Sequence, residues 1–313
     1  MTRAQLSAEA LARWGDPIRR VVPDVELVAY DPDLKRIPGD PPEVGWLSVD
    51  VLRSADPEFV AALAAAEPLR FVQSAGAGHD TWHFTQLLAR NVRLCTAHVN
   101  DVPIAEYVLR AVLDRFQRAD RWRAGQAHHH WEHHEWREVA GSTWLVVGVG
   151  AIGAAVAQRA RAFGARVVGV RRTPDGNEPV DEMVGPGALP ARLPHADVVV
   201  LSLPGGPETR NLVDAPFLAA MRTDAVLVNV ARGSIVDEEA LITALDAGRP
   251  DFAVLDVTHT EPLPPESPLW AHPRIVVTPH SSSGGHGRFA RGADLFAENL
   301  RRYTTGEPLL HEV

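Results

Sequence analysis

Residues 142–173 read STWLVVGVGAIGAAVAQRARAFGARVVGVRRT, and the fold follows from this stretch. A short β-branched apolar run comes first and predicts a strand buried on both faces. The run ends in a G-x-G-x-x-G turn, whose glycines allow a tight turn, a close approach to a pyrophosphate and close packing of the next helix. That helix directs N–H groups and a positive dipole end at the pyrophosphate. Strand, turn, helix and strand in this order predict a dinucleotide site with contacts at Gly148, Gly150, Ala151, Ile152 and Gly153.

The end of the second predicted strand indicates which dinucleotide binds. An NAD site has an acid at this position for the ribose hydroxyls, whereas an NADP site has arginine for the 2′-phosphate. Here the chain reads Arg171-Arg172-Thr173, and the nearest acid, Asp175, follows a proline in a polar turn. A guanidinium offers a fork of donors to phosphate oxygens, and Thr173 adds a hydroxyl. We therefore expect NADP(H) to be preferred, with NAD(H) possible; ordinary solvated charges after a strand are the alternative.

Length and composition limit the class of protein. The chain has 313 residues, 45% hydrophobic and 23% charged, with a formal charge of −9. Such a chain suggests two globular domains and no basic field that would attract nucleic acid. The single cysteine, Cys95, lies in an apolar run and suggests a buried thiol in a reducing cytoplasm. Neither a signal peptide at residues 1–16 nor a membrane span is expected, because the longest apolar run, residues 144–157, is too short.

Strand and helix patterns alternate along the chain, which predicts an α/β protein with parallel sheets. Because the glycine turn stands near the middle, the first domain is not the nucleotide domain, and the last predicted helix has no sheet of its own. We expect a nucleotide-binding Rossmann domain at residues 99–283, inserted into a discontinuous substrate domain of residues 1–98 plus 284–313.

Three motifs at predicted strand ends supply candidates for catalysis. They are Asn229-Val230-Ala231-Arg232-Gly233, the run from Leu255 to Pro264, and Thr278-Pro279-His280-Ser281. Ligands of an open α/β sheet gather at the carboxyl ends of its strands. There Arg232 is suited to hold a carboxylate, and His280 to donate a proton, with Glu261 as the partner that orients the ring. Surface or core roles for each residue separately are the alternative.

GVGAIG, NVARGSIVDEEAL, DVTHTEPLPPESPLW and VVTPH, in this order, resemble the D-isomer-specific 2-hydroxyacid dehydrogenases. The resemblance implies two flavodoxin-like or Rossmann-like domains and a homodimer formed through the cofactor domain. It also implies that Arg232 binds the carbonyl and carboxylate of a 2-oxoacid, that His280 protonates the carbonyl oxygen, and that Asp256 lies beside the nicotinamide carboxamide. Further coenzyme contacts are expected at Leu203, Pro204, Thr209, Val230, Ala231 and Ser282.

The resemblance also assigns residues in the first domain. Residues 74–78 match a loop whose backbone amides cradle the substrate carboxylate, with contacts at Ala75, Gly76 and Ala77. Trp46 is a further candidate for the substrate side, with core packing as the alternative. The histidine-rich segment 128–134 is interpreted as a solvated connector or dimer-interface segment rather than a metal site, and no metal is expected.

With Arg171 in place of an acid, the chain is similar to the NADP-preferring glyoxylate and hydroxypyruvate reductases of this family. The resemblance implies NADPH-dependent reduction of a small 2-oxoacid, such as glyoxylate or hydroxypyruvate, and it alone implies that the product is the D-2-hydroxyacid. One alternative is an NAD-linked enzyme of the same fold acting on phosphoglycerate, formate or phosphite. A dinucleotide-sensing corepressor without catalysis is the other alternative. Neither a membrane nor a nucleic acid is expected as a partner.

Overall fold

Parallel strand pairing runs through both sheets of the protein. The computed structural model describes residues 1–31, 39–54, 57–76 and 82–313. The strands are β1 (Thr2–Leu6), β2 (Val25–Ala29), β3 (Val44–Leu47), β4 (Phe71–Ser74), β5 (Arg93–Cys95), β6 (Thr143–Val147), β7 (Arg166–Val170), β8 (Glu182–Val184), β9 (Val198–Leu201), β10 (Val226–Asn229), β11 (Phe252–Leu255) and β12 (Ile275–Val277).

Helices connect most of these strands. The α-helices are α1 (Ala8–Val21), α2 (Val49–Ser54), α3 (Pro57–Ala65), α4 (Trp82–Ala89), α5 (Asp101–Phe116), α6 (Ala119–Ala127), α7 (Ala151–Ala162), α8 (Leu189–Arg192), α9 (Ala215–Ala220), α10 (Glu238–Asp246) and α11 (Gly287–Thr305). Short 3₁₀ turns occur at Pro186–Ala188, Leu193–His195, Gly233–Ile235 and Pro268–Trp270. Within the described residues, no helix is both long and apolar enough to span a membrane.

The chain divides into two compact units. The terminal unit comprises Met1–Asn100 and Gly285–Val313, and the central unit comprises Asp101–Gly284. The divisions thus fall at 100/101 and 284/285, where the sequence suggested 98/99 and 283/284.

The terminal unit is built on a five-stranded parallel sheet in the order β2-β1-β3-β4-β5. One face packs against α1 and α11, in a core that includes Trp46, Phe71 and Phe296. The rings of Trp46 and Phe296 stack with centroids 4.9 Å apart. The other face carries a second core that includes Phe59 and Leu63. Helix α11 thus supplies part of the core of a sheet whose strands all precede residue 96.

The central unit is built on a seven-stranded sheet in the order β12-β11-β10-β9-β6-β7-β8. Its inner strands are short β-branched runs, such as Val198–Leu201, that are buried on both faces. Separate apolar cores therefore form on the two sides of the sheet. The order reverses between β6 and β9, which is the switch point where open α/β sheets form their ligand crevice. The predicted α/β class with two parallel sheets is confirmed.

Two strands of the terminal unit were not anticipated. For residues 1–16 the sequence indicated only that a signal peptide is not expected, whereas residues 2–6 form β1 and the hydroxyl of Ser7 caps α1 by accepting from the Ala10 N–H at 3.0 Å. Strand β3 contains Gly45, and a methyl group added there would lie 2.4 Å from Leu63 Cδ2. The glycine that weakens the strand signal in sequence is thus required by tight packing in the fold.

Candidate coenzyme and catalytic site

The glycine turn after β6 has the geometry expected of a phosphate cradle. Gly148 has φ +95°, and a Cβ there would lie 2.7 Å from the backbone of Leu203. A Cβ at Gly153 would lie 2.1 Å from the carbonyl oxygen of Gly148. In contrast, a Cβ at Gly150 would meet no atom of the described residues within 4 Å. The turn is therefore closed on its protein side and open at its middle glycine.

Helix α7 begins at this opening. Gly150 is its N-cap, and no side chain in the described part of the chain caps the first turn, so the N–H groups of Ala151 and Ile152 are candidates to bind an anion. The Ser202 hydroxyl donates to the carbonyl of Gly148 at 2.8 Å and ties the turn to the neighbouring strand β9. These residues fit a dinucleotide pyrophosphate, because they combine an open backbone approach with uncapped helical donors.

The arginines after β7 already have carboxylate partners. Arg171 Nη1 lies 2.9 Å from Glu178 Oε1 and 3.1 Å from Asp175 Oδ2. Arg172 Nη1 lies 2.7 Å from Glu208 Oε2. Thr173 is exposed beside them. The sequence identified the donors for a phosphate and Asp175 as the nearest acid, but it did not indicate that Glu178 and Glu208 contact these arginines.

The other predicted coenzyme residues lie in loops at the same end of the central sheet. Leu203 packs against Gly148, and Thr209 Oγ1 donates to the carbonyl of Pro204 at 3.0 Å. Val230 and Ala231 follow β10 and are buried. These five loop positions thus border the carboxyl ends of β6, β9 and β10, where the coenzyme is expected.

Arg232 is presented by a turn that is fixed from three sides. The buried Asn229 side chain donates to the carbonyl of Arg232 at 3.0 Å and accepts from the Ala231 N–H at 3.0 Å. The side chain of Arg232 is exposed and passes close to Gly205, where an added Cβ would lie 2.9 Å from Arg232 Cγ. On the other side of the turn, a Cβ at Gly233 would lie 1.9 Å from the carbonyl carbon of Thr258. The backbone of Arg232 is therefore held, while its exposed guanidinium donates from Nη1 to the carbonyl of Ala231 at 2.8 Å.

His280 and Glu261 form the expected contact. His280 Nδ1 lies 2.8 Å from Glu261 Oε2, and the second carboxylate oxygen accepts from the Thr258 N–H at 3.2 Å. Both side chains are partly exposed, at 52% for His280 and 39% for Glu261. Because Nδ1 is used by the carboxylate, Nε2 is the ring nitrogen at which His280 could exchange a proton with a reactant.

The strands that carry these groups are neighbours. Arg232 follows β10, Glu261 follows β11 and His280 follows β12, and the ends of these strands are in register, Asn229 with Leu255 and Leu255 with Val277. The carboxyl ends of the three strands therefore meet at one edge, and the three predicted catalytic side chains follow directly from that edge.

Asp256 has a structural role that the sequence did not indicate. It is 1% exposed, and its Oδ1 accepts from the Thr278 hydroxyl at 2.6 Å and from the Ser281 N–H at 2.9 Å. Its Oδ2 accepts from the N–H of Ser282 at 3.0 Å. The backbone N–H of His280, which has φ +48°, donates to the carbonyl of Asp256 at 2.8 Å. Asp256 thus binds the whole loop that carries His280, and its contact with the nicotinamide stays a prediction, as does that of Ser282.

Tyr107 extends this network from helix α5, which sequence reasoning missed. Its phenolic oxygen lies 2.6 Å from Thr278 Oγ1. Because the single hydroxyl hydrogen of Thr278 is donated to Asp256, Tyr107 must be the donor in this contact. Burial raises the pKa of the Tyr107 phenol, which keeps it protonated. Tyr107 and Thr278 are 171 positions apart, so no local sequence pattern connects them.

Three of the predicted substrate-binding residues of the terminal unit, Trp46, Ala75 and Gly76, have contacts within the protein. Trp46 is 2% exposed and stacked on Phe296, which favours the core-packing alternative. The N–H of Ala75 donates to the carbonyl of Leu47 at 2.9 Å, and the N–H of Gly76 to Ser74 Oγ at 3.0 Å. Both amides are therefore engaged within the protein. Ala77 lies outside the described residues.

The histidine-rich segment follows helix α6. His134 Nε2 lies 3.1 Å from the carbonyl oxygen of Gln117, and its ring lies 5.1 Å from that of Trp122. In the portion of the chain that the structure covers, no group of three or more His, Cys, Asp or Glu side chains is arranged to hold a metal ion.

Comparison with known proteins gives consistent family matches. The family model for the NAD binding domain of D-isomer specific 2-hydroxyacid dehydrogenases matches residues 109–282. D-3-phosphoglycerate dehydrogenase of Mycobacterium tuberculosis is 34% identical over 318 residues, which cover 97% of this chain but 56% of that protein. The chain thus spans little more than half the length of this relative. Glyoxylate reductase of Korarchaeum cryptofilum is 34% identical over 80% of this chain and 78% of its own length.

Solved structures agree with these matches. A D-isomer specific 2-hydroxyacid dehydrogenase from Xanthobacter autotrophicus Py2, in complex with NADPH and MES, is 32% identical with a TM-score of 0.80, covering 100% of this chain and 97% of that one. An NADPH-dependent glyoxylate/hydroxypyruvate reductase from Sinorhizobium meliloti, in complex with NADP and sulfate, is 25% identical with a TM-score of 0.79, covering 100% and 98%. The glycine turn, the three strand-end motifs and these matches together show that the chain belongs to the D-isomer specific 2-hydroxyacid dehydrogenase family.

Proposed function

We propose that this protein reduces a small 2-oxoacid, of the size of glyoxylate or hydroxypyruvate, to the D-2-hydroxyacid with NADPH. The contact of 2.8 Å between His280 Nδ1 and Glu261 Oε2 carries the proposal. A histidine held in this way, at the same sheet edge as Arg232, offers a proton donor beside a carboxylate-binding group.

The coenzyme would be held by the glycine turn and the start of helix α7. Gly150 gives the pyrophosphate access to the backbone, and the uncapped N–H groups of α7 offer donors to it. When bound, the nicotinamide supplies a hydride to the carbonyl carbon of the substrate.

The residues of the chain supply the remaining chemistry. Arg232 binds the substrate carboxylate through two parallel N–H donors and so orients the carbonyl group. His280 donates the proton from Nε2 to the carbonyl oxygen as charge develops there. Glu261 keeps the imidazole in one orientation and stabilises its protonated form. Asp256 acts one step further away, because it holds the loop on which His280 lies.

Relatives support the choice of substrate and coenzyme. A glyoxylate reductase is 34% identical over most of its length, and two similar structures hold NADPH or NADP. Arginines rather than an acid after β7 agree with that coenzyme. Oxidation of D-3-phosphoglycerate is a second candidate, because the relatives that match 97% of this chain are named for that activity.

The proposal is tested by initial rates with glyoxylate, hydroxypyruvate, pyruvate and a bulkier 2-oxoacid, each with NADPH and with NADH. Oxidation of 3-phosphoglycerate with NAD⁺ and NADP⁺ is measured in parallel, and the configuration of the product is assigned by chiral chromatography. Fast NADPH oxidation with the small oxoacids and a D-product is expected. A clear preference for NADH would overturn the coenzyme assignment, and phosphoglycerate turnover alone would establish the second candidate. Coenzyme binding without turnover would favour the sensing alternative.

His280→Asn tests the assigned proton donor, and His259→Asn is its control. His259 lies in the Glu261 loop, where its backbone N–H donates to Glu238 at 2.6 Å, and its side chain is exposed. We expect His280→Asn to lower kcat by about 10²- to 10⁴-fold while the Kd for NADPH stays near wild type. His259→Asn should retain most of the turnover. Equal rates for the two variants would remove His280 from the acid role.

We also propose that the protein is a homodimer formed through the central unit. Three tryptophans in and after helix α6 are exposed, Trp122 at 43%, Trp131 at 99% and Trp136 at 45%. Exposed aromatic groups in one segment are typical of an interface. Light scattering after gel filtration should give a dimeric mass, and Trp131→Ala should shift it toward the monomer. A monomeric wild-type protein at micromolar concentration would overturn this proposal.

A further inference from the structure

The two arginines after β7 differ in how firmly they are bound. Arg171 is 35% exposed and contacts both Asp175 and Glu178. The Glu178 side chain is 5% exposed and also accepts from the N–H groups of Asp175 and Gly176, each at 2.9 Å. These hydrogen bonds, first that of the Asp175 N–H, lower the pKa of Glu178 to about 2. Arg171 is thus part of a fixed turn that contains two carboxylates.

Among the described residues, Arg172 contacts one partner, Glu208, and that pair is open to solvent. The side chains of Arg172 and Glu208 are 75% and 79% exposed. Glu208 lies in the loop after β9, where the N–H groups of Thr209 and Arg210 both donate to the carbonyl of Gly206. Glu208 is therefore presented by a defined turn, while the ion pair itself is easily exchanged.

The contact between Arg172 and Glu208 lies at the carboxyl end of the central sheet, between the loops that follow β7 and β9. Strands β7 and β9 are the two neighbours of β6, and Val147 at the end of β6 is in register with Val170 and with Leu201. The loops after β7 and β9 thus stand on either side of the glycine turn after β6. The contact between Arg172 and Glu208 joins these two loops at the crevice where the coenzyme is expected.

Charge favours Arg172 as the residue that meets a phosphate. A 2′-phosphate placed at Arg171 would meet two carboxylates against one guanidinium, and Asp175 and Glu178 would repel it. At Arg172 the phosphate would have to replace a single exposed carboxylate, and exposed ion pairs are weak. We infer that Arg172, rather than Arg171, binds the 2′-phosphate of NADPH, and that Glu208 competes with that phosphate for the guanidinium.

This inference rests on the proposed NADPH function and makes Glu208 a residue that sets coenzyme selectivity. NADH has no 2′-phosphate, so it leaves the contact between Arg172 and Glu208 intact. NADPH must exchange that contact for its own. Glu208 therefore lowers the affinity for NADPH and has little effect on NADH, and its removal should increase the preference for NADPH.

The test is the Kd for NADPH and for NADH, from nicotinamide fluorescence titrations of the full chain without substrate. The variants are Arg171→Gln, Arg172→Gln, Glu208→Gln and the double variant of Arg172 and Glu208. Glu239→Gln removes an equal charge from the exposed first turn of helix α10 and serves as the control. Melting temperatures report whether each variant is folded.

Arg172→Gln should weaken NADPH binding by about 10- to 100-fold, as expected for a lost charge-assisted hydrogen bond, and should leave NADH binding nearly unchanged. Glu208→Gln should tighten NADPH binding by about 1.5- to 5-fold, the range of an exposed ion pair, and this gain should vanish when Arg172 is already Gln. Arg171→Gln should lower the melting temperature while the preference for NADPH persists.

Different failures have different meanings. Equal Kd values of the wild type for NADPH and NADH would overturn the proposed coenzyme preference and this inference with it. A wild-type preference for NADPH that is lost in Arg171→Gln but kept in Arg172→Gln would overturn the inference alone. So would a Glu208→Gln variant that binds NADH more weakly, since Glu208 would then hold the ribose hydroxyls. If Glu239→Gln tightens NADPH binding as much as Glu208→Gln does, the gain comes from net charge alone, and the proposed competition by Glu208 is overturned.

Discussion

Replacing Gly150 by alanine should separate coenzyme binding from folding. Within the residues that the structure describes, the new methyl group would meet no atom within 4 Å, and φ of −91° is accessible to alanine. Alanine is a poorer N-cap than glycine, so we expect a loss of about 0.5–1 kcal/mol in unfolding free energy, or a few degrees in Tm. The methyl group would instead occupy the space through which a pyrophosphate approaches the backbone.

The expected cost to binding follows from the contacts that the methyl group would block. A backbone N–H donating to a charged oxygen contributes about 1.5–3 kcal/mol, so the Kd for NADPH should rise by about 10- to 100-fold. NADH should weaken by the same factor, because both coenzymes share the pyrophosphate. Titrations of nicotinamide fluorescence measure these Kd values, and thermal melts measure stability.

Gly185→Ala is the matched control, since a Cβ there also meets nothing within 4 Å. It lies after β8 at the edge of the sheet, outside the glycine turn, and should leave both Kd values unchanged. Wild-type affinity in Gly150→Ala would show that the open side of Gly150 does not face the coenzyme. The assignment of the pyrophosphate site would then be refuted.

Other changes probe packing, burial and charge. Gly233→Ala places a methyl group 1.9 Å from the carbonyl carbon of Thr258, so urea unfolding should show a loss of at least about 1–3 kcal/mol, and wild-type stability would contradict the contact. Burial raises the pKa of the Cys95 thiol to about 12, so a disulfide reagent at mildly alkaline pH should label it only after denaturation; rapid labelling of the folded protein would refute its burial. Hydrogen bonds to Glu298, of which that from Arg301 has the largest effect, lower the pKa of its carboxyl group from 4.5 to about 2. The ionised Glu298 therefore stabilises the folded protein above pH 4.5, and this contribution is lost as the pH falls toward 2. Glu298→Gln should flatten that part of the curve of unfolding free energy against pH, and an unchanged curve would exclude the pairing.

The structure of the central unit was easier to predict from the sequence, because its strand, turn and helix patterns are formed by consecutive residues. The strand, glycine turn, helix and strand of residues 142–173 are consecutive, and the structure has β6, the turn, α7 and β7 in that order. The contact between His280 and Glu261 was also expected, since the roles of a proton donor and its partner constrain which side chains pair. Arg232, Glu261 and His280 then lie at one edge of the sheet, because the strands that precede them are neighbours.

Other features could not be predicted because they depend on distant partners. The pattern identified Arg171 as a phosphate donor, but only the folded turn shows that Glu178 already holds it. The coenzyme contact of Asp256 stays a prediction, but its hydrogen bonds to Thr278 and Ser282, which lie more than twenty positions away, could not be predicted from the sequence. Strand β3 was obscured by the glycine that its packing requires. In each case the missing information is a contact across the fold rather than a residue type.

The position of helix α11 near the end of the chain has a consequence for how the protein folds. The sheet of the terminal unit is complete at residue 95, yet Phe296, which stacks on Trp46, belongs to a segment that follows the whole central unit. During synthesis from the N-terminus, α1 can cover its part of that sheet face early, but the part that α11 covers stays open until residues 285–313 have emerged, because residues 101–284 come between them in the chain. While residues 101–284 are being made, we therefore expect the apolar side chains that later pack against α11, such as Trp46, to remain partly exposed on that face.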